Sequence, residues 1–286
     1  MAESKKQVAE VKNQLPANLD YGEYGDQGFE DQTSDDLAIP FLNVLQANSP
    51  QCEGEDAEAR PGMFFNTVTG EHLSGKEGVY IVPSKTDHNF VEWVPREDGG
   101  GGGGGFVGIH QLDSDIVAGA KESAEEYGKY KTKEGNDLVE TFYIYGVLCS
   151  EDGEPLSPII LAFTSTKIKR YKAWSTSMNL FRPKDGKGNA VKVPMFAHYV
   201  KMTTFSDKNS YGSFYNVTLE AANGSIAESL LAPTDERFVQ AKGFYDVIKS
   251  GAFRADFDGQ RKTEGKGDGD FAGAGSPPPA DGSTPF

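Results

Sequence analysis

The chain has 286 residues, of which 37% are hydrophobic and 25% charged, and its formal net charge at pH 7 is −15. This length allows one large domain or two small ones, while the lack of an apolar run of about 18 residues argues against a transmembrane protein. The N-terminal residues lack the apolar segment of a secretory signal. The two cysteines and the scattered histidines have no zinc-ligand spacing, so we expect a reducing cytoplasm, no disulfide scaffold and no zinc site.

The two ends of the chain differ in composition from its middle. Residues 1–60 hold 4 basic and 13 acidic side chains, and residues 1–36 are predicted to form a flexible acidic arm. Residues 257–286 are rich in Gly, Asp, Ser and Pro, which predicts a disordered tail. Between them lies one predicted domain, residues 37–256. Its seven consecutive glycines at 99–105 predict a flexible loop, because no lysine of a phosphate-binding loop follows them.

Short strands dominate the predicted domain. An extended segment begins at residue 37 and is broken by Pro40. Runs of β-branched and aromatic residues bounded by turn residues then predict three hairpins. The hairpins are formed by residues 78–82 with 89–94, residues 138–148 with 157–163, and residues 195–205 with 213–221. The first pair is predicted from the prolines that close each run, and the third pair is joined by a loop at 207–212.

Two helices complete the predicted domain. Residues 166–180 and 234–250 carry apolar residues at helical spacing, and Gly251 stands where a C-terminal cap glycine is expected. Five or more short strands with few helices indicate a β-rich fold, between all-β and α+β, with one or two helices at the periphery of a barrel.

No motif of a known enzyme class occurs in the chain. Hydrolase, metalloprotease, phosphate-loop and kinase signatures are absent from the sequence. Carboxylate pairs occur in acidic loops, where solvated charge is the usual explanation, and the lone His198 is more typical of a packed side chain than of a base. We therefore expect no catalytic residue, no metal and no cofactor.

A basic island interrupts this acidic chain at residues 161–216. It holds ten basic side chains against two acidic ones, whereas the rest of the chain holds 18 basic and 41 acidic ones. The ten basic residues are Lys167, Lys169, Arg170, Lys172, Arg182, Lys184, Lys187, Lys192, Lys201 and Lys208. A solvated basic face that balances acidic neighbours is the plainer interpretation.

Aromatic residues interleave with these cations and favour a second interpretation. Single-stranded nucleic acid needs cations along its phosphates and flat rings for its bases, whose faces are free only when the strand is unpaired. The candidate stacking rings are Trp174, Tyr199, Tyr211 and Phe214, with Trp93 of the first hairpin as a weaker candidate. Alternation over residues 195–205 predicts one buried face with Val200 and Met202, and one ligand-facing face with Tyr199, Lys201 and Phe205.

Four segments of the chain resemble a bacteriophage single-stranded-DNA-binding protein. They read DLAIPFLNVLQANSP, PGMFFNTVTG, LAFTSTKIKRYKAW and PMFAHYVKMTTFSDKNSYGSFYN. The end of the tail, Pro285-Phe286, is similar to the tails of bacterial and phage single-strand binders. The resemblance implies an OB-fold-like barrel that coats single strands during phage DNA replication, recombination and repair, in the cytoplasm of the infected host.

The resemblance also implies partners for the tail. Asp281, Pro285 and Phe286 would bind replication or recombination proteins, and no membrane contact is implied. Two other classes stay open: a phage structural or assembly protein whose basic island contacts an acidic subunit, and a metal-dependent nuclease. The sequence decides neither a DNA-versus-RNA preference nor the oligomeric state, a homo-oligomer included.

Overall fold

The computed structural model describes residues 38–54, 57–95, 105–210, 212–251, 254–257 and 260. Within these residues the chain forms twelve strands and three α-helices. In chain order they are β1 (Ala38–Ile39), β2 (Leu42–Val44), β3 (Phe64–Asn66), β4 (His72–Leu73), β5 (Val79–Trp93), β6 (Phe106–His110), α1 (Asp115–Glu122), β7 (Tyr130–Lys131), β8 (Asp137–Cys149), β9 (Pro155–Phe163), α2 (Ile168–Leu180), β10 (Val200–Asn209), β11 (Gly212–Ala221), α3 (Glu236–Ser250) and β12 (Arg254–Ala255).

The largest sheet has seven strands, and its five long ones lie in the order β11-β10-β5-β8-β9. Every pair in this sheet is antiparallel. Strands β2, β3 and β4 form a separate sheet, and β1 pairs with β12 in parallel. This arrangement confirms the predicted β-rich fold and is compatible with the OB-fold-like barrel.

Two hydrophobic cores cover the opposite faces of the large sheet. Consecutive residues of β8 alternate between them, because successive side chains of a strand point to opposite faces. Phe142 and Ile144 belong to the core that α2 covers, whereas Tyr143 and Tyr145 belong to the core that α3 covers. The two helices are therefore held on different sides of the sheet, and α2 carries the N-terminal part of the basic island.

The predicted first hairpin is wrong. Strand β5 runs without interruption through Pro83 and pairs with β8 along nearly its whole length. The register of that pairing shifts between Pro83 and Lys85. The extra residue of this bulge is Ser84, and Pro83 lies next to it opposite Gly146, where the disrupted ladder accommodates a residue without an N–H donor. The proline that seemed to end a strand instead bends one long central strand.

The other two predicted hairpins are confirmed. Strands β8 and β9 pair across the predicted turn, and β10 pairs with β11 from Val200 opposite Ala221 to Asn209 opposite Gly212. The predicted loop at 207–212 is shorter than expected because the ladder continues into it. Residues 195–197, predicted as the start of the strand, form a short 3-10 helix.

Both predicted helices are confirmed, and a third was missed. Helix α3 begins at Asp235, whose carboxylate accepts a hydrogen bond from the backbone N–H of Arg237, and it ends at Gly251 with φ 77°. Helix α1 buries only Val117 and Ala120. Two buried positions in eight residues leave too little apolar periodicity for its prediction from sequence.

Two residues at the start of the predicted tail contact the strands of the domain. The Phe257 ring stacks on the Phe106 ring with centroids 4.2 Å apart, and the backbone carbonyl of Gln260 accepts a hydrogen bond from Asn43 at 3.2 Å. Packing against β6 and β2 orders both residues. The predicted arm at 1–36, residues 99–104 of the glycine run, Tyr211 and the tail from residue 261 lie outside the described residues.

Buried His198 predicts a loss of stability in acid. The side chain is almost fully buried, and this burial lowers its pKa below the ordinary value of 6.5. The folded chain therefore takes up the proton less readily than the unfolded chain, so stability is present above about pH 6.5 and falls as the pH drops below it.

Urea unfolding at about pH 7.5 and about pH 5.5 measures this loss. We expect wild type to lose stability over that interval and the variant His198→Asn to lose less. Part of the loss should remain in the variant, because burial also lowers the pKa of His88. Equal losses in the variant and wild type would contradict the assignment to His198.

Candidate nucleic-acid interface

The start of helix α2 presents a row of cations to solvent. Lys169, Arg170 and Lys172 are exposed, and Lys167, in the 3-10 helix that precedes α2, is half-exposed. The opposite face of α2 is buried through Tyr171, Trp174 and Met178, at the three- and four-residue spacing of one helical face. Packing of these apolar side chains on the sheet leaves the charged positions outside.

The same helix start lacks the usual groups that neutralise a helix N-terminus. Neither the 3-10 helix nor α2 has a capping side-chain hydrogen bond, and neither has an acidic residue in its first turn. Ser165, at the entry, has a φ of 48°, the one left-handed non-glycine residue among those described. Cations at this end oppose the helix dipole, whereas an anion bound there would be favoured by both the dipole and the lysines.

Arg170 connects the helix to the β10–β11 hairpin. Its guanidinium lies 4.9 Å from the centroid of the Phe205 ring, and its Nη2 lies 3.8 Å from a carboxylate oxygen of Asp207. Phe214 stands directly opposite Asp207 in the ladder and is half-exposed, and the exposed Lys208 follows Asp207 on β10. The helix–hairpin patch is the set of Lys167, Lys169, Arg170, Lys172, Phe205 and Phe214, whereas Lys208 points to the opposite side of the hairpin.

The remaining cations of the island lie elsewhere. Lys184, Lys187 and Lys192 are exposed on the loop that follows α2, at the far end of a helix about 20 Å long. In this loop the carboxylate of Asp185 accepts the backbone N–H groups of Asn189 and Lys187 at 2.8 and 2.9 Å, which lowers its pKa. The loop therefore forms its own turn, separate from the helix–hairpin patch.

Two of the cations that were expected to contact phosphates, Arg182 and Lys201, contact other groups of the protein instead. The guanidinium of Arg182 donates to the backbone carbonyls of Asn179 and Phe181 and so satisfies the C-terminal end of α2. The Lys201 ammonium lies 5.2 Å from the centroid of the Tyr80 ring, which stands opposite it in the ladder of β10 and β5. Neither side chain belongs to the helix–hairpin patch.

The two rings that the sequence favoured most for stacking, Trp174 and Tyr199, are buried, and so is the weaker candidate Trp93. Trp174 and Trp93 are 4% and 3% exposed, and Tyr199 is 5% exposed. Tyr199 stacks on Tyr80 at 5.4 Å, and burial raises the pKa of its hydroxyl to about 12. A stacking ring must offer a free face to a base, so the prediction that these three rings are exposed is wrong. The tail residues Asp281, Pro285 and Phe286, like Tyr211, lie outside the described residues.

The sequence patterns did not indicate that Phe205 and Phe142 contact cations of α2. Phe205 was placed on the ligand-facing side of its strand, but nothing in the sequence indicated that Arg170 covers it. The Lys172 ammonium lies 5.1 Å from the centroid of the Phe142 ring, on β8. Only the register of the sheet brings this ring beside α2, so no local pattern would have identified it.

Two further observations concern the described residues alone. No three of their His, Cys, Asp and Glu side chains are grouped so as to hold a metal ion. None of their helices has the length and apolar character needed to cross a membrane.

Comparison with known proteins identifies a family for this chain. Neither the curated proteins nor the solved structures include a match to this chain. A family model described as Pam3 phage gp34-like protein matches residues 5–254, which is most of the chain. The chain therefore belongs to the Pam3 phage gp34-like protein family and is a phage protein.

Proposed function

We propose that this phage protein binds single-stranded DNA without sequence preference and protects it during phage DNA replication, recombination and repair, in the cytoplasm of the infected host. It performs no chemistry on the DNA and uses no cofactor. The tail residues Asp281, Pro285 and Phe286 would then bind replication or recombination proteins.

The observation that carries the proposal is the uncapped start of α2 with its four cations. The first turn of α2 holds no acidic residue, and Asp207 of the hairpin faces Arg170 at 3.8 Å. The phosphates of a nucleic-acid backbone would supply negative charge that interacts favourably with both the N-terminal end of the helix dipole and the cations.

The rings of the helix–hairpin patch support a single strand over a duplex. Phe205 and Phe214 are half-exposed on β10 and β11, and the Arg170 guanidinium covers one face of the Phe205 ring. Half-exposed rings next to a phosphate-binding row suit unpaired bases, because a duplex offers no base face for them to contact.

A gel shift with fluorescent oligo-dT and a duplex of matched length, each with and without Mg²⁺, tests the proposal. We expect the single strand to be shifted intact under both conditions and to be bound more tightly than the duplex. Preference for the duplex would contradict the proposal. Cleavage that depends on Mg²⁺ would favour a nuclease.

A protein interface is the second candidate function. Burial of Trp174, Tyr199 and Trp93 removes part of the stacking chemistry that favoured nucleic acid and leaves mainly exposed cations. Such a surface would suit an acidic subunit in a phage structural or assembly protein. Failure of the protein to shift either oligonucleotide would favour this candidate.

A further inference from the structure

A second group of rings and cations continues from the helix–hairpin patch across the sheet. His88 on β5 stands directly opposite Phe142 on β8, and the two rings stack with centroids 3.7 Å apart and planes 16° apart. Lys172 of the patch lies over the same Phe142 ring. The stacked pair therefore borders the patch on the side away from the hairpin.

A pocket follows on the same face of β5. Phe90 lies two residues beyond His88, about 7 Å further along the strand, and stands opposite Glu140. Phe90, Lys121, Ala124, Tyr127, Tyr130 and Glu140 line a cavity of about 430 Å³. The insertion between β5 and β8, which contains α1 and β7, forms its outer wall.

Tyr127 is the most exposed of the aromatic rings that line this pocket. It is 62% exposed, and it meets the Tyr130 ring edge to face with centroids 6.3 Å apart. The Lys121 ammonium lies 4.7 Å from the centroid of the Phe90 ring. An exposed ring held by a second ring, with a cation beside it, is the combination that a base and its phosphate require.

The Glu140 carboxylate lines the pocket together with the Lys121 cation. Glu140 is engaged by the imidazole of His88, with Nε2 and the carboxylate oxygen 2.8 Å apart, and Glu126 is paired with Lys129 at 3.0 Å. Burial lowers the pKa of His88 despite the contact with Glu140, and the charges of Lys172 and Lys121 act in the same direction. The imidazole therefore lies within electrostatic reach of a lysine from each group.

We infer that the pocket of Lys121, Tyr127 and Tyr130 is a second contact for the same single strand, in which an unpaired base stacks on Tyr127 and Lys121 neutralises a phosphate. The strand then runs from the helix–hairpin patch past the stacked His88 and Phe142 rings to the pocket. The inference rests on the proposed function and adds to it a site that lies outside the basic island.

Binding of the full-length chain to oligo-dT across a salt series tests the inference. We expect Tyr127→Ala to weaken binding by about 5- to 150-fold, the value of one stacked base, without a change in melting temperature. Tyr127→Phe keeps the stacking face and should bind like wild type. Lys121→Gln should reduce the slope of the log–log salt plot by about 0.7, the value of one phosphate.

Ultraviolet crosslinking to oligo-dT provides a second readout. Peptide mass spectrometry should find an adduct on the peptide that contains Tyr127. Wild-type affinity for Tyr127→Ala together with no adduct at Tyr127 would overturn this inference, while the proposed function would stand as long as the wild-type chain binds. Absence of binding by the wild-type chain would overturn both.

Discussion

Replacement of Trp174 with alanine should lower the free energy of unfolding by about 3–5 kcal/mol. The indole is 4% exposed and packs beside the Tyr171 ring, with centroids 6.1 Å apart, in the core between α2 and the large sheet. Its removal leaves a cavity that neighbouring side chains can fill only in part. Urea unfolding followed by circular dichroism measures the difference from wild type.

Leu180→Ala is the matched control on the same helix. Leu180 is 74% exposed, so its truncation should change stability by no more than about 0.5 kcal/mol. At urea concentrations where Trp174→Ala is still folded, we expect it to retain affinity for oligo-dT. A variant that unfolds like wild type but no longer binds the oligonucleotide would show that Trp174 stacks on bases, and the core assignment would be wrong.

Removal of two exposed lysines from α2 should weaken single-strand binding by about 25-fold at roughly 0.1 M salt. Each phosphate neutralised on a single strand contributes about 0.7 to the slope of the log–log salt plot. The double variant Lys169→Gln/Lys172→Gln should therefore reduce the slope by about 1.4, from a wild-type value of roughly −3 to −4 for four to six phosphates. Fluorescence anisotropy across a salt series measures both quantities.

The double variant Lys242→Gln/Lys249→Gln is the control, because it removes the same number of positive charges from an exposed face of α3. Lys242 pairs with Asp246 at 2.8 Å, and both lysines lie on the helix that covers the other face of the sheet. This control should keep the wild-type slope. Equal losses in the two double variants would mean that net charge, rather than the helix–hairpin patch, determines binding.

Much of the secondary structure could be predicted because it depends on local features. Apolar spacing and Gly251 define α3, and alternation with turn residues defines the β8–β9 and β10–β11 hairpins. The long strand β5 could not be predicted in the same way. Whether Pro83 ends a strand or lies next to a bulge depends on the register with β8, which the local sequence does not contain.

The cations of the candidate site could also be predicted, but of the candidate rings in the described residues only Phe214 lies in the patch. Lysine and arginine side chains stay in contact with water in almost any fold, so a basic island in the sequence remains a basic surface. An aromatic residue fits a core and an exposed binding surface equally well. Trp174 became a core residue because α2 packs on the sheet through its side chain, and Tyr199 became one because it joins the core that α3 covers.

By itself the sequence determined a β-rich phage protein with a basic segment in an acidic chain. Only the tertiary structure decided which of those basic residues act together. Arg170 lies beside Phe205 and Asp207 because α2 packs along β11, and Lys172 lies over Phe142 because β8 occupies the middle of the sheet. Charge is a property of single residues, whereas adjacency depends on strand register and helix docking, which arise from contacts between distant parts of the chain.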